Sequence, residues 1–177
     1  AASHLTSSPR TPAGRRRGGR RPAGAMMRGM GRVKVSTTID APPRRVWEEV
    51  RHLGRHVDWM ADAVAIRFTS DRTSGVGTTF ECDTKVGPAH LTDLMEVTEW
   101  REGRAIGVRH VGVVTGSGRF TLRRARGGRT RFTWEERLTY PLWMGGRLGG
   151  VVGDRIMGRI WRKNLTTLRH LVERGRG

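Results

Sequence analysis

From residue 33 the chain alternates apolar and polar side chains, and a longer period interrupts that alternation twice. "VKVSTTI" puts Val33, Val35, Thr37 and Ile39 on one face of a first strand. "DAPPRRVWEEVRHL" then spaces Val46, Val50 and Leu53 at steps of four and three, and its prolines suit a first helical turn, so a short amphipathic helix follows. "GRHVDWM" predicts a second short helical turn with Val57, Trp59 or Met60 inward. Six strand-like segments come next, at about residues 63–70, 76–86, 89–100, 103–112, 115–124 and 129–140. The turns between them are short, with a Gly-Gly hairpin signal in "RRARGGRTRF". This predicts an antiparallel meander, because parallel pairing needs long crossovers. After Pro141, residues Met157, Trp161, Leu165, Leu168 and Val172 form one stripe of a long C-terminal helix.

Extended toward its N-terminus, that stripe meets Gly153, Gly149 and Gly146 instead of large residues. Glycine inside a helix costs about 1 kcal/mol relative to alanine. "MGGRLGGVVGD" therefore reads in one of two ways: as helix that leaves open volume above a concave sheet, or as a flexible loop before a shorter helix starting near Val151.

Residues two apart in a strand share a face. The inward set is then Val64, Ile66 and Phe68; Phe80, Cys82 and Thr84; Leu91, Asp93, Met95 and Val97; Ile106, Val108 and His110; Phe120 and Leu122; and Phe132, Trp134, Glu136 and Leu138. The opposite face is mostly Arg, Thr, Glu and Lys, with Leu94 and Val111 as exceptions. Four inward positions carry chemistry instead of bulk: Cys82, Asp93, His110 and Glu136. Asp93 and His110 fall on neighbouring strands and meet if the register allows, whereas Glu136 lies two strands from His110 and needs a strongly curled sheet. A buried carboxylate without a partner is costly, and an imidazole changes both its cost and its titration. Cys82 reads as a small core residue, since free cysteines are commonly buried and no base is indicated beside it. Tyr140, the only tyrosine, stands at the strand-to-helix corner, facing pocket or solvent.

Composition changes this picture at one end only. Residues 1–32 hold eight Arg and no acid, so they carry +8 of the formal +18, and their Gly, Pro and Ser content predicts a disordered tail ahead of a domain at 33–177. The tail's partner options are weak electrostatic contacts with RNA or membrane; no specific nucleic-acid partner is expected from an Arg run alone. "RRRGGRR" is followed by no apolar run, so no export signal is expected, and no window is long and apolar enough for a transmembrane segment. Cys82 is the single cysteine, which excludes an intrachain disulfide. A reducing, cytoplasmic setting fits, and neither a metal nor another cofactor is expected.

The order of elements, together with "VSTTIDAPPRRVWEEV", "GVGTTFEC", "MEVTEWREGRAIGVRH", "GGRTRFTWEERL" and "IWRKNLTTLRHLVE", resembles the START-like SRPBCC superfamily, in particular its polyketide cyclase/dehydrase-like branch. The resemblance spans nearly all of residues 33–174. It implies an α+β helix-grip fold, in which a curved seven-stranded antiparallel sheet wraps a long C-terminal helix and two short helices follow the first strand. It also implies a deep apolar cavity that binds a small hydrophobic molecule: polyketide-like, aromatic or lipid-like. Phe68, Phe80, Cys82, Met95, Val108, Phe120, Trp134, Gly149, Gly153, Met157 and Trp161 are the expected lining. Three readings of the polar positions stay open. His110 with Asp93 or Glu136 acts as the acid/base pair of a polyketide cyclase or dehydratase. The same residues anchor the polar end of an apolar ligand. Or they satisfy one another and the backbone, with no further role.

Overall fold

Short connections keep consecutive strands adjacent, and the sheet is the meander they predict. The computed structural model describes residues 29–140 and 146–175. Its elements are β1 (Gly29–Ile39), α1 (Pro43–Val50), a 3-10 turn (Leu53–Asp58), β2 (Ala63–Phe68), β3 (Thr79–Val86), β4 (Ala89–Arg101), β5 (Ala105–Val111), β6 (Thr115–Arg124), β7 (Thr130–Tyr140) and α2 (Gly146–Arg174). The strands form one antiparallel sheet in the order β1-β7-β6-β5-β4-β3-β2. β1 and β2 are opposite edges of that order, yet α2 reaches both. Asp154 on α2 accepts the Arg32 N–H of β1 at 3.1 Å, and Trp161 and Asn164 donate to Asp62 beside β2. A flat sheet cannot bring its two edges to one helix; this sheet curls around α2, in the helix-grip arrangement.

Three local details depart from simple pattern reading. β1 begins at Gly29, four residues ahead of the expected start, and Gly29 pairs with Tyr140. A Cβ at Gly31 would stand 2.4 Å from the Asp154 carboxylate, so this glycine makes room for α2 and belongs to the sheet and not to the tail. The rest of the expected tail, residues 1–28, lies outside the described residues. Val64 is not inward: an irregularity between Ala63 and Ala65 leaves it 55 % exposed and turns Ala63 inward in its place. A second irregularity between Val97 and Glu99 reverses the parity of β4, so that Trp100 faces the core and meets Trp47 edge-on.

The two ends of the molecule pack differently. At one end Ile39, Val46, Val50, Leu53, Phe132, Leu168 and Val172 are fully buried, joining α1, the 3-10 turn and the last turns of α2 to the sheet. Each such side chain contributes about 1.5–3 kcal/mol. Toward the other end the stripe of α2 thins from Trp161 and Leu165, both buried, to the half-buried Met157 and then Gly153. The glycine-rich segment is helical from Gly146, the first of the two expectations. Among the described residues no helix is long and apolar enough to cross a membrane.

Candidate functional site

Thinning of the helix stripe leaves a cavity of about 310 Å³ between α2 and the sheet. Its wall is largely apolar, with Leu91, Met95, Leu138, Met157, Trp134 and Trp161 prominent. A Cβ built on Gly153 meets nothing within 4 Å, so the glycine contributes space. A smaller cavity of about 70 Å³ lies deeper, lined by Phe80, Val108 and Phe120, and shares Cys82, Met95, Trp134 and Glu136 with the larger one. Of the expected lining, Phe68 is the exception among described residues. It sits at the far end of the β2 edge, against Phe80 and beside a shallow surface depression near Gly54. Gly149 falls in α2, but its surroundings lie outside the described residues.

Register explains the polar part of the wall. His110 on β5 stands opposite Met95 on β4, which puts Asp93 one diagonal step away on the same face. His110 Nδ1 is in direct hydrogen-bonded contact with Asp93 Oδ2. Glu136 lies on β7, beyond the intervening β6, and still reaches His110: its Oε2 is 3.2 Å from His110 Nε2. The span is possible because β6 presents glycine where it separates the two. Gly116 pairs with His110, and Gly118 pairs with both Val108 and Glu136. A Cβ on Gly118 would come 2.3 Å from the Glu136 carboxylate, so the carboxylate occupies the place of a missing side chain. Gly116 has φ +147° and would drive a Cβ into the Arg137 carbonyl at 2.0 Å, which leaves glycine alone at that position. "TGSG" in β6 thus shapes the site. Its signal in the sequence is two glycines on the inner parity of a strand.

Of the two carboxylates, Glu136 has a further partner. Trp134 Nε1 donates to Glu136 Oε1 at 2.8 Å, and its indole stacks on Trp161 with centroids 4.6 Å apart. Trp161 Nε1 in turn donates to Asp62 Oδ2 at 3.2 Å, and Asn164 Nδ2 to Asp62 Oδ1 at 2.6 Å. Asp62 lines the cavity but lies in the turn before β2, where strand parity has nothing to say. Asp93 Oδ1 is buried and has no hydrogen-bond partner.

Charge on the wall follows from these bonds. Burial pulls the His110 imidazole down, but the hydrogen bonds and charges of Asp93 and Glu136 outweigh it and raise the pKa to about 9. Both ring nitrogens face carboxylate oxygens, so both donate and the ring is an imidazolium at neutral pH. Burial pushes the Cys82 thiol up to about 11, far from a thiolate nucleophile. Burial, with the charges of Asp154 and Glu136, likewise pushes Tyr140 up to about 12; its ring lines the cavity and its phenol stays protonated.

Comparison with known proteins agrees with this architecture. The family model described as polyketide cyclase / dehydrase and lipid transport matches residues 30–173. Among solved structures, the Zhui aromatase/cyclase from Streptomyces sp. R1128 superposes with a TM-score of 0.68 at 16 % identity, covering 82 % of this chain and 94 % of that one. TTHA0849 from Thermus thermophilus gives 0.68 at 18 % identity, covering 82 % and 99 %. A START superfamily protein from Mycobacterium smegmatis gives 0.67 at 11 % identity, covering 81 % and 97 %. At these identities the likeness is one of fold. No curated protein matches the sequence. With the family model spanning β1 to the last turn of α2, the chain belongs to the polyketide cyclase/dehydrase and lipid transport family.

Proposed function

We propose that the protein binds a small hydrophobic molecule in the cavity of about 310 Å³, with the His110–Asp93–Glu136 cluster as the polar point of an otherwise apolar wall. The observation that carries this reading is the combination itself: open volume under the glycine end of α2, closed on its sheet side by one buried ionic group. Filling the space is the direct test. Gly153→Leu places a side chain where nothing stands within 4 Å and replaces a costly helix residue, so stability stays equal or rises by up to about 1 kcal/mol. Uptake of a neutral fluorescent hydrophobe such as Nile red should fall at least tenfold. Unchanged uptake in a folded variant rejects the cavity as the binding site.

A second reading, acid–base catalysis by the same three residues, draws on the likeness to an aromatase/cyclase. It gives His110 the part of proton donor, since a ring with pKa about 9 is already protonated. Turnover of a poly-β-ketone by the native protein, lost in His110→Gln while binding is kept, distinguishes it from carriage alone.

A further inference from the structure

The turns at the two ends of the sheet have opposite chemistry. Away from the larger cavity, β4 turns into β5 through Arg101-Glu102-Gly103-Arg104, and the turn from β6 to β7 carries Arg123, Arg124, Arg126 and Arg129. At the cavity end, β3 turns into β4 through Val86-Gly87-Pro88-Ala89 and β5 into β6 through Val111-Gly112-Val113-Val114, without one polar side chain. Turns are ordinarily built from polar residues as well as glycine and proline, and 28 % of this chain is charged, so two uncharged turns side by side call for a cause. They are not buried: Val113 is 51 % exposed, and Gly87, Pro88 and Ala89 are exposed too. Of the described cavity lining, Ala89 and Ile156 are the exposed members, so the two turns and this part of α2 form the rim of the opening.

Positive charge borders this apolar rim. Lys85 precedes the first turn and Arg155 precedes Ile156; both are exposed, and neither side chain forms an ion pair among the described residues. The neighbouring acid, Asp154, is turned to the Arg32 N–H. The basic N-terminal segment joins the sheet at the same end, because Gly29 pairs with Tyr140 and Tyr140 lines the cavity. Residues 1–28 hold seven Arg and no acid. We infer that this face docks on an anionic lipid bilayer, with Val113, Ile156 and the β3–β4 turn entering the interface and Lys85, Arg155 and the arginines of residues 1–28 against the lipid phosphates. The inference goes beyond the ligand-binding reading and does not depend on it. A protein partner is anchored by aromatic or arginine side chains in pockets, whereas small aliphatic residues ringed by cations match a fluid apolar phase behind anionic head groups. Neither half suffices alone: a few half-exposed aliphatics insert weakly, and each cation close to an anionic bilayer raises affinity roughly fivefold.

A chain of net charge +18 adsorbs to anionic surfaces whatever its shape, so the test compares variants of equal charge. Val76 provides the control: it is also 51 % exposed, and it lies in the loop between β2 and β3, at the other end of β3 from Val86. The full chain and its Val113→Asp, Ile156→Asp and Val76→Asp variants are sedimented with vesicles of phosphatidylcholine, alone or with about 30 % phosphatidylglycerol, at about 0.15 M salt. The unaltered chain should bind the anionic vesicles at least about tenfold more tightly than the zwitterionic ones. Val113→Asp and Ile156→Asp should each weaken that binding by about tenfold, and Val76→Asp by less than about twofold. The two rim variants lie on different elements, so a folding defect in one leaves the other to decide. Equal losses for the rim variants and Val76→Asp would reduce the attraction to net charge and overturn the inference. Zwitterionic vesicles bound as tightly as anionic ones, or no vesicle binding, would overturn it as well. A dimer in lipid-free buffer that Val113→Asp disperses would give the face to a second copy of the chain instead.

Discussion

His56 and His110 are buried to nearly the same degree, 5 and 7 % exposed, and hold opposite charge states at neutral pH. His56 lies in the 3-10 turn after α1, on the apolar wall of the smaller cavity, with Trp59 at 5.1 Å and Phe120 at 5.6 Å between centroids. Burial drives its pKa down to about 4, and the Val50 carbonyl, which accepts from Nε2 at 2.8 Å, offsets that only in part. His110 lies at the cavity end between two carboxylates and titrates near 9. Depth of burial therefore does not set the charge of an imidazole. Its partners do: a single carbonyl is satisfied by a neutral ring, whereas two carboxylates require two N–H groups. The 3-10 turn uses its histidine as an aromatic that caps a carbonyl. The cavity end uses its histidine as a fixed cation.

Removing each ring gives the largest contrast. His110→Leu leaves Asp93 and Glu136 in an apolar wall without their shared cation and should cost about 3–5 kcal/mol in urea denaturation at pH 7. His56→Leu deprives only the Val50 carbonyl of its donor and should cost about 1–2 kcal/mol. Equal costs for the two substitutions would end the distinction drawn between the two sites.

Stability against pH comes next in size. The His110 pKa is raised by folding, so its contribution is complete below about 6.5 and is lost as pH rises through about 9, up to about 3 kcal/mol in all. The His56 pKa is depressed, so its contribution is complete above about 6.5 and is lost as pH falls through about 4, by a similar amount. Together they place a stability maximum near pH 6.5, with an alkaline limb owned by one ring and an acid limb by the other. Imidazole NMR resonances assign each limb directly. A His110 ring that titrates near 6.5 would count against the carboxylate clamp.

The strands, their order and the inner faces of β3 to β7 are legible in the sequence because antiparallel neighbours with one solvated face must alternate. Parity alone carries Asp93, His110 and Glu136 to the inner face. It misplaces Val64 and is silent on Trp100, because the irregularities in β2 and β4 each reverse the parity without any glycine or proline to announce them. Asp62 escapes for a related reason: it sits in a turn, and its importance comes from Trp161 and Asn164, a hundred positions away in the chain, which only the curled sheet brings near. Whether Glu136 meets His110 is a question about the strand between them. The two glycines of β6 are plain in the sequence, but they acquire meaning only once β6 is known to separate β5 from β7.

That dependence on a missing side chain can be tested with the smallest change of all. Gly118→Ala sets a methyl 2.3–2.6 Å from the Glu136 carboxylate, and because the carboxylate is the end of a flexible chain, it swings away and the strand survives. Stability should fall by about 1–2 kcal/mol, since a buried carboxylate loses its bonds to His110 and Trp134 and the replaced strand glycine offsets this only in part. The pKa of His110 should fall by about one, Asp93 being the one carboxylate left within hydrogen-bonding reach. A His110 pKa that does not move would mean that Asp93 alone sets the charge of the cavity wall, and Glu136 would then belong to Trp134 and the packing of α2 instead of to the site.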